Sequence, residues 1–355
     1  MITERDKTYM RRCFELARKG LGMTRANPLV GCVVVHGDRI VGEGFHREFG
    51  GPHAEVNAIR SVQDPSLFPQ STLYCNLEPC SHHGKTPPCS LLISQKGIRR
   101  VVISNQDPFP SVNGQGIRQL EDSGVEVISA CLEEEGMDLN RRFFHYVNYK
   151  RPYVILKWAQ TADGFIDLER EPGDQEGPRW ISNEPSRTLV HKWRSEESAI
   201  MVGTNTVLTD NPRLNVRRWT GGNPVRITLD RRGRLSDSAH MLDGAQETIV
   251  FTGVKRNYSG KIRTVHADPS YELVDVMEEL FDQQITSILV EGGAKLHQSF
   301  IASGLWDEAR VFTGKMSFSQ GIKAPEINEK PDEQFNIGDT KIELFRNRAS
   351  TLHGA

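Results

Sequence analysis

The chain has 355 residues with 44 basic and 46 acidic side chains, a formal net charge of −2, so it lacks the overall positive field that grips nucleic acid. Its length indicates two domains. The opening MITERDKTYM is too charged for an export signal, and no apolar run approaches membrane-spanning length; a cytoplasmic protein is expected, acting on a small molecule, with neither membrane nor nucleic acid as partner.

The first part alternates helices and strands as an α/β layer fold does. A helix is predicted over 4–19, then a strand in VGCVVV at 30–35, a turn at HGDR and a strand in IVGEGF, together a hairpin. HAEVNAIRSV, from His53, reads as a helix with Val56, Ile59 and Val62 as its buried face. The alternating STLYCNL at 71–77 reads as a strand ending where Pro79-Cys80 begin. Pro87-Pro88-Cys89 precede SLLISQKG, with proline at a helix start and Gly97 at its end. A strand at 99–104, a turn-rich loop at 107–116, a helix at 115–123 and a strand at 125–129 complete a five-stranded sheet with helices on both faces. A helix through NRRFFHYVNYK then gives way to Arg151-Pro152 and the β-rich YVILKWA, which places the boundary near 146–152 and the domains at 1–148 and 149–355.

The second part alternates again. Strands are expected at 153–158, 198–202, 225–230, 248–252, 285–290, 307–313 and 341–345, with helices near 183–194, 271–282 and 294–303. Glu291-Gly292-Gly293 falls between a strand and a helix, where backbone N–H groups can cradle a phosphate. It is not the dinucleotide fingerprint G-x-G-x-x-G, and a tight strand-to-helix turn explains it as well.

Three residues carry the clearest chemistry. His53, Cys80 and Cys89 offer one imidazole and two thiols, the donor set of zinc, and three protein ligands leave a fourth position for water as catalytic sites do. Residues two apart do not face each other on a helix, so Glu55 is not a second ligand from mid-helix; from a first turn it can hang over the open position and move protons. Cys89 near a helix N-terminus favours a thiolate. A structural zinc would need a fourth ligand, for which His82 and His83 are available. Cys13, Cys32, Cys75 and Cys131 lie in apolar patterns and read as buried, inert thiols.

HAE followed by PC and a second Cys resembles the zinc deaminases of nucleobases, whose signature is H-x-E…P-C-x-x-C. The eight residues between Cys80 and Cys89 depart from that spacing, and this insertion, with ANPLVG at 26–31 and GEGFH at 42–46, is similar to the pyrimidine deaminases of riboflavin biosynthesis. The resemblance implies a cytidine-deaminase-like three-layer α/β/α domain with Glu55 as proton shuttle. It also implies loss of the 2-amino group from 2,5-diamino-6-ribosylamino-4(3H)-pyrimidinone 5′-phosphate, held by Asn27, His46 and Lys85. LKWAQTADGFI at 156–166, RWIS at 179–182, MVGTNTVLTDNPRLNVR at 201–217 and VEGGAKL at 290–296 resemble, in order, the reductase half of the same family, a dihydrofolate-reductase-like α/β domain that binds NADPH. By motif position, Ala159, Trp180, Thr206, Asp210, Gly292 and Gly293 would contact NADPH, and Arg194, Leu214, Arg217 and Glu291 the substrate, a pyrimidine ribose phosphate reduced at C1′. Phe165 and Arg231 depart from the family pattern. A homo-oligomer is the expected assembly. Three other readings stand beside this one: a lone deaminase with a degenerate second domain, a nucleic-acid deaminase, and a zinc module without activity.

Overall fold

The structure, a computed structural model, describes residues 1–81, 87–110, 112–170, 177, 179–268 and 270–349. The chain separates into two compact units, Met1–Asn148 and Tyr149–Ala355.

In the first unit the elements run α1 (Glu4–Arg18), β1 (Gly31–His36), β2 (Arg39–Phe45), α2 (Ala54–Ser61), β3 (Ser71–Leu77), α3 (Cys89–Gln95), β4 (Arg100–Asn105), α4 (Gln115–Asp122), β5 (Glu126–Ile128), α5 (Glu133–Leu139) and α6 (Arg141–Tyr149), which reaches the boundary. The five strands lie in the order β2-β1-β3-β4-β5, with β1 antiparallel to both neighbours and the rest parallel. Because side chains alternate across a strand, Cys32, Val34, Leu73, Cys75, Val101 and Ile103 pack with Ala58 of α2, Ile93 of α3 and Leu120 of α4. The intervening Val33, Val35, Tyr74 and Val102 pack with Met10 and Phe14 of α1. Helices therefore cover both faces, as expected.

One expectation is corrected. Ile59 and Val62 are buried as expected, Val62 as the residue that ends the helix, but Val56 is only half-buried and the inward face also takes Ala54, Glu55 and Ala58. The cause lies on β2. A Cβ on Gly42 or Gly44 would come within 2.5 Å of Ala58 O or 2.4 Å of Ala58 N, so these glycines let α2 lie against the strand on its smallest side chains. That rotation turns Glu55 inward.

The second unit contains β6 (Tyr153–Gln160), β7 (Phe165–Asp167), α7 (Glu184–Glu196), β8 (Ala199–Gly203), α8 (Thr204–Asp210), β9 (Val225–Leu229), β10 (Thr248–Thr252), β11 (Ile262–His266), α9 (Leu273–Asp282), β12 (Ser287–Gly292), α10 (Ala294–Ser303), β13 (Glu308–Thr313), β14 (Ile322–Lys323), β15 (Glu333–Ile337) and β16 (Thr340–Arg346). Nine strands form one sheet in the order β11-β10-β9-β8-β12-β6-β13-β16-β15, parallel up to β13 and antiparallel beyond it. Val154, Leu156, Met201, Ile227 and Val290 pack under α9 and α10. The opposite face is covered in two places: Ile155, Leu289 and Phe312 meet Val190 and Trp193 of α7, while Ile200, Val202 and Val250 meet Val207 of α8.

A buried charge ties α1 to the first sheet. Asp6 caps the start of α1 in a reciprocal pair with Thr3, and its carboxylate also accepts from Tyr74 Oη at 2.9 Å and Arg100 Nη1 at 3.0 Å. Burial alone would raise this carboxyl, but the hydrogen bonds from Arg100, Thr3 and Tyr74 override it and hold it well below the usual carboxylate range. A depressed folded value means stability present above the unfolded pKa of about 4 and lost as the pH falls through the folded value. Asp6→Asn is expected to lower the unfolding free energy by about 2–3 kcal/mol at pH 7 and to flatten the acid limb; denaturant titrations at pH 7 and pH 3 check both.

Candidate functional site

The ligand set assembles where three chain segments meet beyond the C-terminal end of β3. His53 is the N-cap of α2, Cys80 follows β3, and Cys89 is the first residue of α3. The ligand atoms of His53, Cys80 and Cys89 all lie within 4.8 Å of one another, with Nδ1 of His53 3.5 Å from each sulfur. Zinc bonds of about 2.0 Å to nitrogen and 2.3 Å to sulfur, at a tetrahedral angle, require a nitrogen–sulfur edge of about 3.5 Å. The triangle therefore fits zinc. Among the described residues no fourth His, Cys, Asp or Glu joins the group; His82, His83, Lys85 and Thr86 lie outside the described residues.

The electrostatics suit a cation. Hydrogen bonding from the Cys89 thiol, aided by His53 and by the Cys89 backbone N–H 3.4 Å from Cys80 Sγ, pulls Cys80 down to about 4 against the cost of burial. The same contacts push His53 up to about 9 and Cys89 upward. Cys80 is thus poised as a thiolate, and loading a cation displaces the protons on His53 and Cys89. Glu55, on the first turn of α2, is only 3 % exposed, and burial raises its carboxyl above the ordinary glutamate range. A carboxyl raised in this way holds a proton more readily than an exposed glutamate, as a group that takes and returns protons must.

Beside the triangle stands a second polar group. His46 is buried with its ring centroid 5.8 Å from that of His53. Its Nδ1 lies 3.1 Å from Pro52 O, which makes Nδ1 the donor and leaves Nε2 to accept from Asn27 Nδ2 at 2.9 Å. The segment carrying Asn27 is gripped by two buried asparagines that the motif reading did not single out. Asn140 accepts from Leu29 N–H at 2.8 Å and donates to Leu29 O at 2.9 Å, while Asn76 donates to Leu29 O and accepts from Gly31 N–H. Together they satisfy backbone groups just beyond the β1–β3 ladder, which ends at Cys32.

In the second unit, Arg194 of α7 forks onto Glu291 at the end of β12, Nε–Oε1 2.6 Å and Nη2–Oε2 2.7 Å. Burial would raise Glu291, but Arg194 and Lys157, the latter 4.0 Å away, pull it down to about 2. Arg194 also donates to Asn215 O, and Arg217 Nη1 donates to Asn215 Oδ1 at 3.0 Å, so three of the four expected substrate residues share one cluster. Leu214, buried in a left-handed conformation with φ 52°, turns the chain into Asn215. Burial and the two arginines push His191 down to about 4, a measure of the positive field here.

Of the expected cofactor contacts, Thr206 sits against the glycine turn: a Cβ on Gly292 or Gly293 would meet Thr206 Oγ1 at 3.1 or 3.0 Å. Asp210, at the end of α8, accepts from Arg170 Nη2 at 3.2 Å. Ala159 lies in β6 opposite Phe312, and Trp180 is half-exposed with the Arg187 guanidinium 4.5 Å above its ring. Neither is joined to the glycine turn by a hydrogen bond or ring contact among the described residues. Lys157 stands within LKWAQTADGFI but carries no role in the motif reading, although a charge in an otherwise apolar strand is itself a signal.

The zinc-binding region of cytidine and deoxycytidylate deaminases matches residues 3–105, and the RibD C-terminal domain matches residues 152–318. The riboflavin biosynthesis protein RibD of Actinobacillus pleuropneumoniae is 42% identical over 321 residues, covering 87% of this chain and 84% of that protein. RibD of Aquifex aeolicus is 37% identical over 350 residues, 97% of this chain and 96% of that protein. The crystal structure of a diaminohydroxyphosphoribosylaminopyrimidine deaminase/5-amino-6-(5-phosphoribosylamino)uracil reductase from Thermotoga maritima superposes with a TM-score of 0.86 at 39% identity, over 97% of this chain and 99% of that one.

Purified protein is expected to hold about one zinc per chain. Cys80→Ser should lose it and Cys131→Ser, whose thiol is buried under α1, should keep it; elemental analysis decides, and zinc retained by Cys80→Ser would remove that thiol from the ligand set.

Proposed function

Because the chain belongs to the RibD family of riboflavin biosynthesis proteins, we propose that its residues carry two successive reactions on one pyrimidine ribose phosphate, a hydrolytic deamination in the first unit and a reduction in the second. The deaminase and reductase activities follow from the family; the residue roles are our reading. The observation that carries it is the triangle of His53, Cys80 and Cys89 with the buried Glu55 on the adjoining helix turn.

Zinc, when bound, lowers the pKa of water towards neutrality and so supplies the nucleophile. Glu55 would take one proton from the attacking water and hand it to the ring nitrogen of the diaminopyrimidinone as the C–O bond forms, then pass the remaining hydroxyl proton to the 2-amino group, which leaves as ammonia as the carbonyl forms. Asn27 and His46, locked to each other and to Pro52 O, hold the ring, and Lys85 contacts ring or phosphate.

In the second unit NADPH, when bound, supplies the hydride that opens the ribosyl group at C1′ to a ribityl chain. The protein orients donor and acceptor and excludes water, so few proton-transfer groups are needed. Arg194 and Arg217 offer forked donors suited to a phosphate, Glu291 keeps Arg194 oriented, and Leu214, its side chain anchored in the core, sets the turn that presents Asn215 beside the substrate. Ala159, Trp180, Thr206, Asp210 and the Gly292-Gly293 turn hold the cofactor. A lone deaminase with an inert second domain is not favoured, since the RibD C-terminal domain matches 152–318. We place the enzyme in the cytoplasm, where thiols that must ligate zinc stay reduced. The near balance of 44 basic and 46 acidic side chains disfavours nucleic acid, and no helix among the described residues is long and apolar enough to cross a membrane. Assembly as a homo-oligomer rests on the resemblance alone.

Supplied with the diaminopyrimidinone and NADPH, the protein should release ammonia and then oxidise NADPH. Glu55→Gln should keep zinc and lose ammonia release by at least about a hundredfold, while still oxidising NADPH when given the deaminated intermediate; normal ammonia release would refute the shuttle. Arg194→Ala strips a buried carboxylate of its forked partner and should lower reductase kcat/KM about tenfold or more, with ammonia release unchanged.

A further inference from the structure

Glu78, two residues before Cys80, is a carboxylate only 4 % exposed that accepts from four backbone N–H groups among the described residues. Its Oε1 accepts from the N–H of Gly116 at 2.8 Å and Ile117 at 3.2 Å, and its Oε2 from Gly114 at 2.9 Å and Asp107 at 3.2 Å. Gly116 and Ile117 are the second and third residues of α4, whose N-cap, Gly114, has no side chain to satisfy them. Glu78 thus caps α4 from 36 to 39 residues away, its two oxygens facing the N–H groups at the positive end of the helix.

The cap presses α4 onto the ligand segment. A Cβ on Gly116 would stand 1.9 Å from Pro79 O, so the first turn of α4 touches the residue between Glu78 and Cys80. One turn on, the Gln119 carboxamide lies 2.6 Å from Ser90 Oγ, and Ser90 Oγ lies 2.9 Å from Cys80 O. The Ser90 hydroxyl has one hydrogen, for which Gln119 Oε1 and Cys80 O are the two acceptors in reach. The Ser90 N–H also donates to Cys80 O at 3.2 Å, and the Cys89 N–H to Cys80 Sγ. A closed circuit runs from Glu78 through α4, Gln119 and Ser90 to Cys80.

We propose that Glu78 is a positioning residue of the zinc site, acting through α4 and Ser90 to hold Cys80 in its ligand position. This rests on reading His53, Cys80 and Cys89 as that site. The outer partners of metal ligands typically carry a 10- to 100-fold share of metal affinity. The carboxylate has no substitute: a glutamine would turn an NH₂ group towards two N–H donors.

The test is zinc affinity and zinc release rate of the full-length protein, by competition with a chromogenic chelator, together with the absorption spectrum of the cobalt(II)-substituted form. Glu78→Gln should bind zinc about 10- to 100-fold more weakly, release it faster and shift the sulfur-to-cobalt band. A role in folding alone would lower the melting temperature and leave those three readings of the folded protein unchanged, which overturns the proposal. Gln119→Leu keeps the cap and cuts the circuit one link later. It should weaken zinc binding in the same direction, and the double variant should lose less than the two single losses combined. If Glu78→Gln does not fold, Gln119→Leu decides, wild-type affinity there being the overturning result. A wild-type protein that bound no zinc would instead remove the site reading itself.

Discussion

Two sulfurs and an imidazole nitrogen, 3.5 Å from nitrogen to each sulfur, are the constraint on which the first unit depends. Such a cluster concentrates donors that would repel once deprotonated, so its neighbours have to fix it against relaxation and leave its charge to a cation. The sheet does the first part. β3 runs parallel to β4 and ends beneath the starts of α2 and α3, which delivers Cys80 from the strand and His53 and Cys89 from the two helix starts. Gly42 and Gly44 let α2 approach β2 on Ala58, and the rotation this sets brings Glu55 inside. Buried polar side chains do the rest: Asn76 and Asn140 satisfy the backbone of Leu29 next to Asn27, and Glu78 satisfies four N–H groups beside Cys80.

The second unit solves a related problem with an ion pair. Its conspicuous charge is Glu291, nearly enclosed at the end of the central strand and kept ionised by Arg194 and Lys157. Carboxylate and guanidinium meet in a two-point fork, which fixes the arginine's direction as well as its charge. Burial of a charge is tolerated only with such pairing. An oriented cation pair of Arg194 and Arg217 around Asn215 is the result, next to a glycine turn packed on Thr206. Hydride chemistry asks for this kind of placement more than for acid–base groups.

Much of this was legible in the residues. His53, Cys80 and Cys89 announced themselves by donor type and spacing, and the strands of both sheet centres by apolar alternation. What escaped did so for physical reasons. β15, mostly exposed, and β11, with outward-facing polar residues, are edge strands without a buried face to write a pattern. α8 is seven residues of TNTVLTD, where threonine and valine are poor helix formers and packing decides. The inward face of α2 was misread at Val56 because the deciding residues are glycines on another element. Asn140 lies 111 residues from the Leu29 backbone it satisfies, so no local window links them. Glu78 reads as a stray acid after a strand until the loop at Asp107, the N-cap Gly114 and the first turn of α4 supply its four donors.

X-ray absorption at the zinc edge of the purified protein tests the central claim most directly, because it counts sulfur and light-atom neighbours of the metal. The account predicts two sulfurs at about 2.3 Å and two light atoms at about 2.0 Å, only one of them an imidazole nitrogen. A second imidazole, from His82 or His83, would fill the open position and contradict a catalytic site.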